Sequence, residues 1–287
     1  MRRLQRKDIK MREQILQTIE KEKMPHIVEA LKGTIANSVV TVEGTPMLSE
    51  YVKMGGIEFI PDSVEVLSHA EALPIMDNAN IDSRLDYRWV DLRSERNVLI
   101  FKIQSCFTNA MREFLVKQNF IEIHTPKLIA AASESGSDVF EVKYFDRKAY
   151  LAQSPQFYKQ MAMAAGFERI FESGPVFRAE QSYTNRHATE FSGFDIEFSY
   201  IKSYEDVMSM EEDLLIYALT KVSEQYGEII KEVFGTEVII PTKPFPRMKL
   251  ADVYKEIVKY GWATKQLHHT DRLNLFIKRR VAGESFA

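Results

Sequence analysis

Cysteine is nearly absent from this chain: Cys106 is the only one in 287 residues. An internal disulfide and any multi-cysteine metal site are excluded, and the usage fits a reducing cytosol. A surplus of positive charge is also lacking. Lys and Arg total 38 against 41 Asp and Glu, a formal charge of −3 with a pI near 6.1. A general polyanion binder is usually basic, so any contact with nucleic acid must use a local basic face. No apolar run approaches the roughly 20 residues that cross a bilayer. The opening MRRLQRKDIKMREQ has no apolar stretch after its basic residues, and Asp8, Glu13, Glu20 and Glu22 soon join it. Neither a secretory signal nor a mitochondrial presequence is expected. Internal repeats and low-complexity tracts are missing too. What remains is a chain 45% hydrophobic and 11% aromatic. That suffices for a sizeable core and excludes wholesale disorder. The length suggests one large domain or two modest ones.

The first 37 residues read as a charged helical segment. Ser38–Glu43, Ile57–Ile60 and Ser63–Leu67 are β-rich and punctuated by Gly44–Pro46, Gly55–Gly56 and Pro61–Asp62. A small β module over residues 38–72 follows from that pattern, with a linker at 73–84. A larger domain is expected over residues 85–287. Within it Ile100, Ile103, Phe107, Ala110 and Phe114 fall on one helical face. Phe120–Thr125 reads as a strand stopped by Pro126, and Val139–Ala152 as a hairpin around Phe145–Asp146–Arg147. Gln156–Ala165 reads as a helix closed by Gly166, and Tyr204–Tyr226 as a long helix closed by Gly227. Phe171–Glu180 and Phe191–Tyr200 read as strands. Hairpins and long loops link the strands, with helices grouped between them. This is an α+β pattern, an antiparallel sheet flanked by helices.

The chemistry concentrates in Gly174–Tyr200, GPVFRAEQSYTNRHATEFSGFDIEFSY. Alternate strand residues share a face. Arg178 and Glu180 therefore project together beside Val176. Phe191, Gly193, Asp195 and Glu197 share one face of the second strand. Phe194, Ile196, Phe198 and Tyr200 share the other, which is apolar. One sheet face is core, and the opposite face carries carboxylates and a ring. Arg178 can grip a phosphate or carboxylate with its planar fork. Arg186 and His187 add donors at the loop tip, where a polyphosphate tail could sit. Phe191 offers a flat surface for a purine, and Asp195 can hold an ammonium. Taken singly, such residues usually pair with one another on a surface hairpin. Their ordered combination instead suits an amino acid lying next to ATP.

FRAE…TNRHATEF resembles the second signature motif of class II aminoacyl-tRNA synthetases, in the aspartyl, asparaginyl and lysyl subgroup. Residues 85–200 are most similar to the aspartyl type of archaea and the eukaryotic cytosol. The matching pieces are Leu85–Arg93 (LDYRWVDLR), Phe120–Leu128 (FIEIHTPKL), Ser133–Met161 and the GPVFRAE block. The resemblance implies a class II catalytic core preceded by an oligonucleotide-binding (OB) barrel. It implies ATP-dependent activation of aspartate and transfer to tRNA, with Mg²⁺ sharing charge neutralisation, in a cytoplasmic homodimer. Arg178 would bridge the amino-acid carboxylate and the α-phosphate as the catalytic arginine. Glu180 would contact the adenine amino group or the tRNA end. Arg186 and His187 would lie near the γ-phosphate, with Phe191 under adenine. Glu134, Gln153, Lys159 and Asp195 would hold aspartate. An ammonium at Lys159 favours a side-chain carboxylate over a neutral amide. Pro126 would build the dimer interface.

The chain departs from that pattern in three places. No glycine-rich stretch ending in Glu-Arg, the third signature motif, is found, and the final third of the core is expected to be missing. Only the last strands of the OB-like module have counterparts, in Val39–Leu67. Ser135 stands where a glycine usually follows the loop glutamate. The alternatives are a non-catalytic paralogue that serves as a binding module, and an asparaginyl specificity, which Lys159 opposes.

Overall fold

The computed structural model describes residues 24–48, 57–76, 78–133, 139–180 and 188–259. Its contacts divide into two units: the described residues of Met1–Ala110 with Lys221–Val238, and those of Met111–Thr220 with Ile239–Ala287.

In the first unit a short helix α1 (Pro25–Ala30) precedes an antiparallel hairpin, β1 (Val39–Leu48) with β2 (Ile57–Ser68). Proline at the first turn of α1 suits its preset φ, and Ile27 is fully buried. The expected short strands prove to be two long ones. Pro46 and Pro61 lie inside them, because a two-stranded ladder has an open edge on either side where a missing N–H goes unneeded. Between Glu43 and Gly44 the register slips. A Cβ on Gly44 would sit 2.0 Å from the Ile60 carbonyl oxygen, so only glycine fits there. The expected linker contains a helix, α2 (Ile81–Asp86), whose first turn is capped by the Asn80 side chain accepting from Ser83 N at 2.9 Å. Next comes α3 (Arg88–Asp91), where both Arg84 and Arg88 pair with the nearly buried Asp91.

The second unit holds two small sheets. Helix α4 (Glu95–Lys117) leads into it, ending where Asn119 takes φ +62°. One sheet has the order β3–β7–β8, from β3 (Ile121–Glu122), β7 (Arg169–Phe177) and β8 (Glu190–Phe198). The second has the order β4–β6–β5, from β4 (Leu128–Ile129), β5 (Glu141–Tyr144) and β6 (Arg147–Leu151). The turn joining β5 and β6 is two residues, Phe145–Asp146, tighter than the three expected. Helix α5 (Gln156–Ala164) follows.

The apolar face of β8 forms core as its alternation requires. Phe194 stacks on the fully buried Phe171 at 5.7 Å between centroids, and Phe198 meets Phe120 edge-on at 5.9 Å. Burying one such ring contributes about 2–3 kcal/mol. The same alternation predicts Tyr200 on that face. Tyr200 instead lies beyond the strand end at φ +63°, 87% exposed, because the backbone turns there and the alternation stops.

Helix α6 (Tyr204–Phe234) runs 31 residues. It passes through Gly227, the expected terminus, and ends at Gly235, where φ is +69°. Buried Val222 and Ile230 flank Gly227, and their packing outweighs the ~1 kcal/mol that an interior glycine costs. Helix α7 (Leu250–Lys259) follows. Among the described residues no helix is long and apolar enough to cross a membrane.

Candidate functional site

The site grows from the pairing of β7 with β8. Their antiparallel register sets Glu172 opposite Asp195, Gly174 opposite Gly193, and Val176 opposite Phe191. Opposed residues share a face. The ladder therefore assembles one face carrying Glu172, Asp195, Glu197 and Phe191 around a glycine pair. A Cβ on Gly193 would meet Asp195 Oδ2 at 3.4 Å and Val176 at 3.7 Å, so bare backbone keeps room on this face.

Arg178 continues β7, and its backbone N–H donates to the Thr189 carbonyl at 2.9 Å, prolonging the ladder by one rung. Its guanidinium carbon lies 5.8 Å from the centroid of the Phe191 ring, within cation–π range. Phe191 is 40% exposed, so much of the ring is open to a ligand. Glu180 is exposed two residues further on.

Helix α5 delivers the opposing charge. Lys159 is 5% exposed, and its Nζ donates to Asp195 Oδ1 at 2.9 Å and lies 3.3 Å from Glu197 Oε2. A buried ammonium is stable only when paired. Two carboxylates from alternate positions of β8 supply that pairing. The ammonium thus donates to Asp195 and forms an ion pair with Glu197. Gln153, in the turn between β6 and α5, is fully buried and engaged by a neighbour. Main-chain bonds help to anchor its segment. Ala152 donates to the Lys127 carbonyl at 3.0 Å and accepts from Phe177 N–H at 2.9 Å.

The structure thus brings together Arg178, Phe191, Lys159 and Asp195 on or against one sheet face. Glu134, Arg186 and His187 lie outside the described residues. Pro126 is exposed in the turn between β3 and β4.

Sequence reasoning missed Glu172. Running the alternation backward from Arg178 finds it, since six residues separate the two. It is 3% exposed and triply held. Thr125 N–H donates to Oε1 at 2.8 Å, the Thr125 hydroxyl to Oε2 at 2.7 Å, and Lys127 Nζ to Oε1 at 2.9 Å. Burial pushes the Glu172 carboxyl up. The Thr125 amide, the Lys127 ammonium and the Thr125 hydroxyl together outweigh burial and hold it below the usual value. Glu212 on α6 was missed in the same way. It is 2% exposed, accepts from Phe245 N–H at 2.9 Å and pairs with Arg247.

The β7–β8 pair is antiparallel, as expected for the sheet, whereas β3 joins β7 in parallel. With one packed aromatic face and one charged, glycine-floored face against a helix lysine, the pair belongs to an α+β core. Comparison with known proteins agrees with that class. The sequence matches the class II tRNA synthetases (D, K and N) over residues 80–278, more than half its length, and the chain belongs to that family. It is 44% identical over 250 residues to the aspartate–tRNA(Asp/Asn) ligase of Methanopyrus kandleri, covering 85% of this chain and 58% of that protein. It is 42% identical over 263 residues to the aspartate–tRNA(Asp) ligase of Pyrococcus abyssi, covering 87% and 60%. The fold superposes on asparaginyl-tRNA synthetase from Pyrococcus horikoshii complexed with asparaginyl-adenylate, with a TM-score of 0.72, 32% identity, and coverage of 81% of this chain and 54% of that one. The chain therefore spans about 60% of the length of these curated relatives.

Proposed function

We propose that the chain carries the activation site of an aspartate–tRNA ligase. In the first step an oxygen of the aspartate α-carboxylate attacks the α-phosphorus of ATP. The bond to the β-phosphate breaks, and pyrophosphate leaves with its electron pair. In the second, the 3′-terminal hydroxyl of tRNA attacks the acyl carbon and AMP leaves. Little covalent help is needed from the protein. Alignment of the reacting groups and neutralisation of developing charge supply the rate. Arg178 is the group for that neutralisation, gripping carboxylate and α-phosphate together, with Phe191 beneath the adenine and Glu180 at the adenine amino group or the tRNA end. Asp195 takes the substrate ammonium, and the Lys159 ammonium takes the aspartate side chain. Gln153 and Glu134 help to hold the aspartate, and Arg186 and His187 bind near the γ-phosphate. Pro126 belongs to a homodimer interface, and the setting is the cytoplasm.

Mg²⁺ fits this site poorly from the protein side. Among the described residues no group of three or more His, Cys, Asp or Glu is placed to hold a metal, and Asp195 and Glu197 already face Lys159. A divalent ion would come with the phosphates of the nucleotide.

The observation that carries the reading is the buried Lys159 ammonium set against Asp195 on the face that ends at Arg178. Exchange of labelled pyrophosphate into ATP tests it. Aspartate should support exchange and asparagine should not. Exchange with asparagine, or neither exchange nor calorimetric binding with aspartate, overturns the reading.

A further inference from the structure

The Glu172 cluster lies on the face already assigned to substrate, and its hydrogen bonds among the described residues run to Thr125 and Lys127. Glu172 sits directly opposite Asp195 in the β7–β8 ladder. A Cβ built on Gly174 would lie 3.8 Å from Glu172 Oε1 and 3.9 Å from Lys127 Nζ. The carboxylate and its lysine therefore border the glycine floor at Gly174. Lys127 has a side chain 23% exposed, and its Nζ bonds both Glu172 and the Thr125 hydroxyl, the latter at 3.2 Å. The two residues on either side of Pro126 are thereby fastened to the strand that continues into Arg178. The Lys127 carbonyl receives the Ala152 N–H, and the Ala152 carbonyl receives Phe177 N–H, one residue before Arg178. Side chain and main chain thus close a ring from the Pro126 turn to the catalytic strand.

We propose that Glu172 is a positioning residue of the activation site: it fixes the Pro126 turn and the Lys127 ammonium against β7, and so holds the glycine floor and Arg178 in register for substrate. The substrate half of this statement rests on the function proposed above, while the mechanical half does not.

Glu172→Gln keeps the shape and one accepting oxygen but removes the charge that draws three donors. Glu172→Asp keeps the charge on a shorter arm. Residue-resolved amide exchange of the 287-residue chain reads the mechanical half. In Glu172→Gln the Thr125 amide should exchange at least tenfold faster. The Phe177 and Arg178 amides should accelerate about threefold or more, while amides of α6 around Ala218 stay unchanged. Titration with L-aspartate in the presence of ATP reads the substrate half. Affinity should fall about tenfold in Glu172→Gln and recover in part in Glu172→Asp. Acceleration confined to Thr125, with unchanged amides on β7 and unchanged aspartate affinity, overturns the proposal and leaves a local turn clamp. Should the unsubstituted chain bind no aspartate, the functional reading fails, and the Phe177 and Arg178 amides still decide whether Glu172 positions the strand. Should Glu172→Gln fail to fold, Lys127→Met and Thr125→Val remove the donors one at a time. Faster Phe177 and Arg178 amides in those variants support the proposal, and unchanged ones overturn it.

Discussion

Lys159 is a single side chain on which both local stability and the proposed preference for aspartate depend. Its ammonium is 6% exposed at the side chain, whereas its partners Asp195 and Glu197 are 30% and 29% exposed. Removing it leaves two carboxylates side by side without a cation. For a fully buried pair that costs several kcal/mol. Partial exposure of the acids screens the loss, so Lys159→Met should cost about 1–3 kcal/mol in urea unfolding. Competition between aspartate and asparagine should show the preference for aspartate falling at least tenfold in the same variant. Glu172 and Glu212 predict a different signature. Both carboxyls titrate below their usual 4.5 in the folded protein. In each, burial pulls the other way and is outweighed, chiefly by backbone N–H donation from Thr125 and Phe245. The native state then binds fewer protons than the unfolded chain at mildly acid pH. Their contribution is fully present above the unfolded value and is lost as pH falls through the lower folded value. The gap in thermal midpoint between the unsubstituted protein and Glu172→Gln or Glu212→Gln should therefore be wide at about pH 7 and narrow at about pH 3.5. Alternation counted back from Arg178 puts Glu172 on the charged face, but nothing in the sequence announces that it or Glu212 is buried and paired. Their partners lie 33 to 47 residues away, and a lone acid in an apolar context looks the same whether solvated or buried.

At the scale of elements, alternation is the most legible signal. The two faces of β8 follow from period two alone, and Arg178, Phe191 and Asp195 are placed by it. Ends are less legible. The strand stops at Phe198 because the backbone at Tyr200 enters a positive φ, which no side-chain pattern announces. Helix α6 outruns its expected end at Gly227, because a glycine closes a helix only when nothing beyond it packs. At Gly227 an added Cβ meets only Ser223 Oγ, at 3.5 Å, an ordinary contact. Gly227→Ala should therefore stabilise the protein by about 0.5–1 kcal/mol, read as a rise in thermal midpoint. Gly235→Ala, at φ +69°, should lower it. The β1–β2 hairpin reads as fragments because Pro46 and Pro61 are ordinarily strand breakers. Their tolerance is a property of a two-stranded ladder, which a sequence does not declare.

On the scale of the whole molecule, the strands bordering the Pro126 turn are short and lie at sheet edges: β3 beside β7, β4 beside β6. Ile121 is 52% exposed and Leu128 50%. Apolar groups on the edges of the described sheets favour association, which is the physical ground for the proposed homodimer around Pro126. Sedimentation should show dimers, and Leu128→Lys should raise the dimer dissociation constant at least tenfold. The family is legible from short ordered blocks spread along the chain. The ring around Glu172 is not, because it joins segments that the sequence keeps apart.

Within that ring Ala152 occupies an unusual place. A single residue with a methyl side chain, 2% exposed, carries the relay between the Pro126 segment and the strand that continues into Arg178 through its own peptide groups. An alanine scan passes over such a junction by construction. Only a change that deletes the peptide hydrogen itself, such as Ala152→Pro or an ester in place of that amide, interrogates it.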